Sequence, residues 1–351
     1  MRTLVVSDLH LGARLDRDVL RRPPALEALL EALRDVDRLV LLGDVVELLE
    51  QRPRRAMDDA EAVVRAIGAR LGTGREVVIV PGNHDALLVR DHLRAHGVPT
   101  SVDAALPADA TPALARLTSW LGPASVEVHY PGAWLADGVW ATHGHYLDRH
   151  LMPESAYGLA RGLLGRLPRD GAHPVDYEVP GGPSLTRLEA LTRVLPRPLA
   201  AALDDAAEIV RAATMPSRAP RGMAPLTARL LGVQMRRASI PALARVAHRL
   251  GVDADWVLFG HVHRTGPLPG DDPAQWRGPV GRPRIVNTGC WVWEPVLVHR
   301  ASPPHPYWPG GAVVLEDGSD PRAVGLLDHL GADDLRGDHH RRPAWPFVRM
   351  P

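Results

Sequence analysis

The chain has 351 residues, 45% hydrophobic and 23% charged, and its 41 basic and 41 acidic side chains leave no formal net charge. That composition excludes a disordered or fibrous chain, and the charge balance removes any global electrostatic case for nucleic acid or an anionic membrane as partner. Every basic residue is Arg; beside so many Ala, Pro and Gly this reads as codon bias, so local Arg clusters are discounted.

In chain order, residues 4–6 form a first short apolar strand. Leu26, Leu29, Leu30 and Leu33 then recur with the spacing of a helix buried on one face. A second strand is expected at 39–42. A second helix follows through Ala60, Val63, Val64, Ile67 and Leu71, with Asp58 and Asp59 near its start and Gly72 at its end. A third strand is expected at 77–80. Strand, helix, strand, helix, strand implies parallel strands covered by helices. From residue 126 the pattern turns β-rich, with strands at 126–130 and 139–142 in a hairpin-rich region and a turn at Asp137-Gly138.

Residues 148–251 interrupt that region with helical stretches at 185–195, 199–211, 226–235 and 242–250, separated by Pro- and Gly-rich joints at 179–183 and 215–225. Arg outnumbers Asp plus Glu there, and the segment reads as a helical cap. Leu185, Leu188, Leu191 and Leu195 make one apolar stripe, and Ala242, Leu243, Val246, Ala247 and Leu250 another. Each either packs on the core or lines a groove for an apolar tail, which would also allow peripheral membrane contact. Strands resume at 256–259, 285–287, 312–316 and 323–327, the last two around Asp317-Gly318. The expected organisation is a core in two parts, 1–147 and 252–330, a cap at 148–251, and a weakly patterned tail at 331–351.

The single cysteine, Cys290, excludes an intramolecular disulfide and fits a reducing compartment; after Gly289 it reads as a small buried hydrophobe. No run approaches the ~20 apolar residues of a membrane span. Residues 3–6 read as a core strand and not a leader, so a cytoplasmic protein without a transmembrane segment is expected.

The chemistry gathers just after the strands. Asp8-Leu9-His10, Gly43-Asp44, Gly82-Asn83-His84-Asp85, His143-Gly144-His145 and Gly260-His261-Val262-His263 each follow an apolar run. In an open α/β sheet the carboxyl ends of the strands share the edge where ligands bind. Carboxylate, amide and imidazole donors suit Zn, Mn, Fe or Co. Two carboxylates at apolar strand ends are costly to bury unless cations offset them.

These segments resemble the calcineurin-like metallophosphoesterases, whose D-x-H, G-D-x-x-D, G-N-H-D/E, H-G-H and G-H-x-H motifs occur here in order over 1–147 and about 252–328. The resemblance implies a four-layer α-β-β-α sandwich of two mixed sheets with a helical cap insertion, and two divalent ions, Mn first with Zn, Fe or Co as alternatives. Asp8, His10 and His263 would hold one ion, Asn83, His143 and His261 the other, and Asp44 would bridge both. A hydroxide between the ions would attack a phosphodiester or pyrophosphate. His84 would act on the phosphate or leaving oxygen, oriented by Glu47, which stands where the family usually has Asp.

Alternatives remain open at this stage. His84 reads also as a packing residue, Glu47 as a helix-start carboxylate, and His145 as a second-sphere group or a turn residue. His150, His305, His339 and His340 read as solvent-facing. Arg149 and Arg264, beside ligand segments, are candidate phosphate contacts. Protein phosphatases of the superfamily usually read G-D-Y-V-D-R-G, against Gly43-Asp44-Val45-Val46-Glu47-Leu48 here. Glu47 and the long insertion loosely resemble the UDP-2,3-diacylglucosamine pyrophosphohydrolases, which implies a phosphorylated small-molecule or amphiphilic, nucleotide-linked substrate. A phosphomonoesterase, a nuclease and a non-catalytic scaffold are the other readings. Nucleic acid is disfavoured because the insertion offers only Tyr157 and Tyr177 for base stacking.

Overall fold

The apolar runs of the first half become the parallel centre of a seven-stranded sheet. The computed structural model describes residues 1–50, 52–150, 168–178, 239–278, 280–295, 297–298 and 300–336. Strands β1 (Arg2–Val6), β2 (Arg38–Leu41), β3 (Glu76–Ile79) and β5 (Ser125–Tyr130) run parallel, and β4 (Ala104–Leu106) pairs antiparallel with β5 at one edge. At the other edge β11 (Gly311–Glu316) lies antiparallel to β1 and forms a hairpin with β12 (Arg322–Gly325). The second sheet has the order β6 (Gly132–Ala136), β7 (Val139–Thr142), β8 (Trp256–Phe259), β10 (Arg284–Thr288), β9 (Thr265–Gly266). Its three central strands are parallel and its two edges antiparallel.

Side-chain alternation along the strands builds the layers. Val5, Val40, Val78 and Val313 face Leu135, Ala141, Leu258 and Val286 across the two sheets. Leu4, Val6, Leu39, Leu41, Val77 and Ile79 point the other way. There they meet α1 (Pro23–Ala32) and α2 (Pro53–Leu71), whose Leu29, Val63, Val64 and Ile67 are buried. On the outer face of the second sheet, Trp140, Val257 and Phe259 pack on α6 (Ile240–Arg249) through Ile240, Leu243 and Val246. Helix, sheet, sheet, helix is the expected four-layer sandwich of two mixed sheets.

Several expectations change in detail. Residues 126–130 extend the first sheet beside β3; the hairpin partner of β7 is β6, which Gly132 and two Ala hide because neither favours strands. Helices α3 (Arg90–His96) and α4 (Pro112–Ser119) were not anticipated; α4 begins at Thr111, whose hydroxyl accepts from Leu114 N at 3.1 Å. The stripe at 242–250 lies on α6 and is buried in the core, so it is packing and not a groove. The stripe at 185–195 lies outside the described residues, as do the expected helices at 199–211 and 226–235. His150 is buried and bonded to the Tyr177 hydroxyl at 2.9 Å instead of facing solvent. Among the described residues no helix is long and apolar enough to cross a membrane.

Candidate metal centre

The loops after β1, β2, β7 and β8 meet at one edge and are joined through their backbones. Asp8 N donates to Gly43 O at 3.0 Å, His10 N to Asp44 O at 2.8 Å, and Gly260 N to His143 O at 3.0 Å. Gly43 has φ +85°, and a β-carbon there would overlap the His143 ring. A β-carbon at Gly82 would likewise meet the Asp44 carboxylate. Five of the seven residues expected as ligands, Asp8, His10, Asp44, His261 and His263, hold φ between 43° and 66°. Non-glycine residues adopt that region at about 1–3 kcal/mol each, and such residues cluster where function demands the geometry.

Among the described residues three donor sets form: Asp8, His10 and His263; Asp44, His143 and His261; and His10, Glu47 and His84, with the donor atoms of each set within 4.8 Å of one another. The first two are the sets expected to hold ions. His263 Nε2 lies 3.3 Å from Asp8 Oδ1 and 3.2 Å from His10 Nε2. Asp44 Oδ2 lies 3.1 Å from His143 Nε2 and 3.7 Å from His10 Nε2, so this carboxylate faces both sets. Asn83 Oδ1 is 3.1 Å from His143 Nε2.

The donor chemistry fits cations. His143 Nδ1 donates to Leu42 O at 3.0 Å, which in a neutral ring leaves the Nε2 lone pair facing two oxygen acceptors. His10 Nδ1 donates to Glu47 Oε2 at 2.8 Å, turning its Nε2 lone pair toward His263. Lone pairs converging on buried carboxylates call for positive charge at their centre. Without metal, protons supply it. Burial pushes His143 down, but Asp44, Asp8 and the Leu42 carbonyl together lift it to about 9. Burial pushes the Asp44 carboxyl up, but His143, His84 and His10 hold it well below the usual carboxylate range. Asp8 is also lowered, with His263 and His143 overcoming its burial.

His84 stands beside these sets. Its Nδ1 contacts both Glu47 oxygens, at 2.8 and 2.9 Å, and its backbone N donates to Asp44 Oδ1 at 2.8 Å. The side chain is 24% exposed. Burial pushes His84 down, but the Glu47 hydrogen bond and the Asp44 charge raise it to about 9.

The sequence model of the calcineurin-like phosphoesterase family matches residues 1–265. The chain belongs to the calcineurin-like phosphoesterase family. It is therefore a metal-dependent phosphoester hydrolase with candidate ligand groups at the expected strand ends. No curated protein matches the sequence. Among solved structures, a cold-active protein-tyrosine phosphatase of a psychrophilic Shewanella species is similar at 14% identity and a TM-score of 0.28, covering 92% of this chain and 80% of that one. At that score the likeness carries no argument about fold or substrate.

Several residues that support this calcineurin-like site were not singled out from sequence. Asp85 is fully buried, accepts from Val45 N at 2.7 Å and Gly82 N at 2.6 Å, and so ties the Asp44 and Asn83 loops together. Burial and the neighbouring Asp44 push its carboxyl up to about 6. Asn287 Nδ2 donates to Gly260 O at 2.7 Å and Thr288 Oγ1 to Phe259 O at 3.1 Å, bracing the His261–His263 turn. Cys290, the one residue here that the sequence did single out, is buried as expected, with Sγ donating to Val292 O at 3.7 Å. Glu178, on α5 (Pro174–Glu178), accepts from the Tyr130 and Tyr146 hydroxyls and lies 3.8 Å from His145 Nε2.

Arg264 differs from the expectation of a phosphate contact. Arg264 is 2% exposed, bonded to Asp271 at 2.6 Å and stacked over Trp276, so its guanidinium staples the loop after β9. Arg149, half-buried, donates from Nη2 to Tyr177 O at 3.1 Å and so joins the turn after β7 to α5.

Proposed function

We propose that the chain hydrolyses a phosphodiester or pyrophosphate bond, using two divalent ions held by Asp8, His10, His263 and by Asn83, His143, His261, with Asp44 shared. The observation that carries this reading is Asp44 Oδ2, within 3.7 Å of His10 Nε2 and 3.1 Å of His143 Nε2. One carboxylate facing two donor sets supports a pair of ions rather than one. When bound, such ions lower the pKa of water and neutralise phosphate oxygens. The chain's own residues do the rest. Asp8 and Asp44, both buried, orient the two imidazole sets through short contacts. His84, protonated and held through Nδ1 on the Glu47 carboxylate, gives its Nε2 proton to the leaving oxygen, or keeps it and faces the phosphate charge.

The preference for diesters or pyrophosphates over monoesters rests on the resemblance carried by Glu47 and the long insertion; the donor set admits Mn, Zn, Fe or Co, and Mn as the working ion is our choice among them on cellular availability. The amphiphilic-substrate reading loses one of its two apolar stripes, now part of the core.

The test is nitrophenolate release from bis(4-nitrophenyl) phosphate and from 4-nitrophenyl phosphate by metal-stripped protein with added Mn. Diester cleavage that requires Mn and is lost in Asp44→Asn is expected. Cleavage of the monoester alone would overturn the diesterase reading. Diester cleavage that survives Asp44→Asn would overturn the shared-carboxylate reading.

A further inference from the structure

Directly after β7 and its ligand histidine, the chain makes a tight helical turn over His145–His150. Leu147 and His150 are buried; Arg245 on α6 donates to His150 O at 3.2 Å, and Arg149 to Tyr177 O at 3.1 Å. The turn is thus clamped from both sides, which makes it a rigid mount for whatever it carries toward the metal sets. It carries Asp148. Asp148 Oδ1 is 3.0 Å from His261 Nε2, with the two side chains 27% and 15% exposed.

An ionised carboxylate only accepts, so His261 Nε2 must bear the hydrogen in this contact. In the neutral ring that a metal ligand requires, this leaves Nδ1 as the nitrogen with a lone pair. The backbone of His261 is separately fixed, because its N donates to both Asp8 oxygens at 3.1 and 3.0 Å. Its ring meets the His143 ring edge-on, with centroids 5.3 Å apart, and its donor belongs to the set with Asp44 and His143.

We propose that Asp148 is a positioning residue for the second ion: by accepting the Nε2 hydrogen, it holds His261 in the tautomer and orientation that offer Nδ1 to the set shared with Asp44 and His143. The inference rests on the two-ion reading above and adds a residue from outside the family's motifs, at the mouth of the insertion. A carboxylate on the far nitrogen raises the basicity of a ligating imidazole and restrains its rotation, and loss of such a partner typically weakens metal binding about 10- to 100-fold.

The experiment is titration of metal-stripped wild type, Asp148→Asn and Asp148→Ala with Co2+, followed by visible absorption and free-ion concentration. Two ions per wild-type chain are expected. In Asp148→Ala one should bind about 10- to 100-fold more weakly while the other stays within about threefold. Asp148→Asn, which keeps a neutral acceptor, should fall between. Melting of the metal-free proteins should be unchanged, which separates positioning from folding. Equal binding of both ions in wild type and Asp148→Ala would overturn the proposal. So would equal weakening of both ions together with a lowered melting temperature. Loss of one ion even at millimolar Co2+ would make Asp148 a ligand itself and overturn the positioning role. A wild type that takes fewer than two ions would overturn the two-ion reading, and this inference with it; the wild-type titration alone distinguishes that failure.

Discussion

Glu47→Gln is expected to lower kcat by about 100-fold or more and to move the alkaline limb of the pH–kcat profile to lower pH. Glu47 is 1% exposed and serves two imidazoles at once: His84 Nδ1 and His10 Nδ1 each lie 2.8 Å from Oε2. The backbone N atoms of Leu49 and Glu50 donate to Oε1 at 3.0 and 2.9 Å, which fixes the carboxylate on its own loop. Burial pushes this carboxyl up, but its hydrogen bonds to His10 and His84 hold it well below the usual range, so it stays ionised throughout the working pH range. Its charge in turn helps to lift His84 to about 9. The sign follows directly. An acid must carry its proton, so the rate falls as pH rises through the His84 value. Removing the negative charge lowers that value, and the fall begins about one pH unit earlier or more. Because His10 loses its charged acceptor too, metal affinity should drop about 10-fold or more in the same variant. A pH profile superimposable on wild type, at any rate, would contradict this coupling.

His84→Ala is expected to reduce kcat about 10²- to 10⁴-fold, or about 2.7–5.5 kcal/mol of barrier, on substrates with an alkoxide leaving group. Nitrophenolate departs without a proton, so the loss on bis(4-nitrophenyl) phosphate should be smaller by at least about tenfold if His84 acts as the acid. Equal losses on both substrates would assign it instead to stabilising charge on the phosphate. Metal content should not change, because the His84 nitrogen grouped with His10 and Glu47 is taken up by the Glu47 carboxylate, and the backbone N–H to Asp44 Oδ1 survives in alanine. Undiminished kcat on the alkoxide substrate would remove His84 from the mechanism.

The parts of the fold that could be read from sequence are those where one face is buried. Val5, Val40 and Val78 alternate with Leu4, Leu39 and Val77, and helices between them carry one apolar stripe. Periodicity reports that a face is covered, but not by which sheet. That is why 126–130 was grouped with β7 and why α6 was counted with the insertion. Strand-end polarity exposed the ligand segments, since a buried Asp after a valine run needs a partner. The supporting groups left no such trace. Asp148 meets His261 across 113 residues, and Asp85 reaches back 40 residues to Val45, through ordinary loop carboxylates. Arg264 misled because position beside a ligand says nothing of side-chain direction, and Trp276 and Asp271 draw its guanidinium into the protein.

The central claim is that the two donor sets around Asp44 hold two ions and that both are needed for hydrolysis. It is tested most directly by titrating Mn2+ into metal-stripped protein while measuring bound metal and diester cleavage on the same sample. Two ions per chain, with activity rising as the second site fills, is the expected result. Saturation at one ion with full activity, or cleavage indifferent to Mn2+, would contradict it.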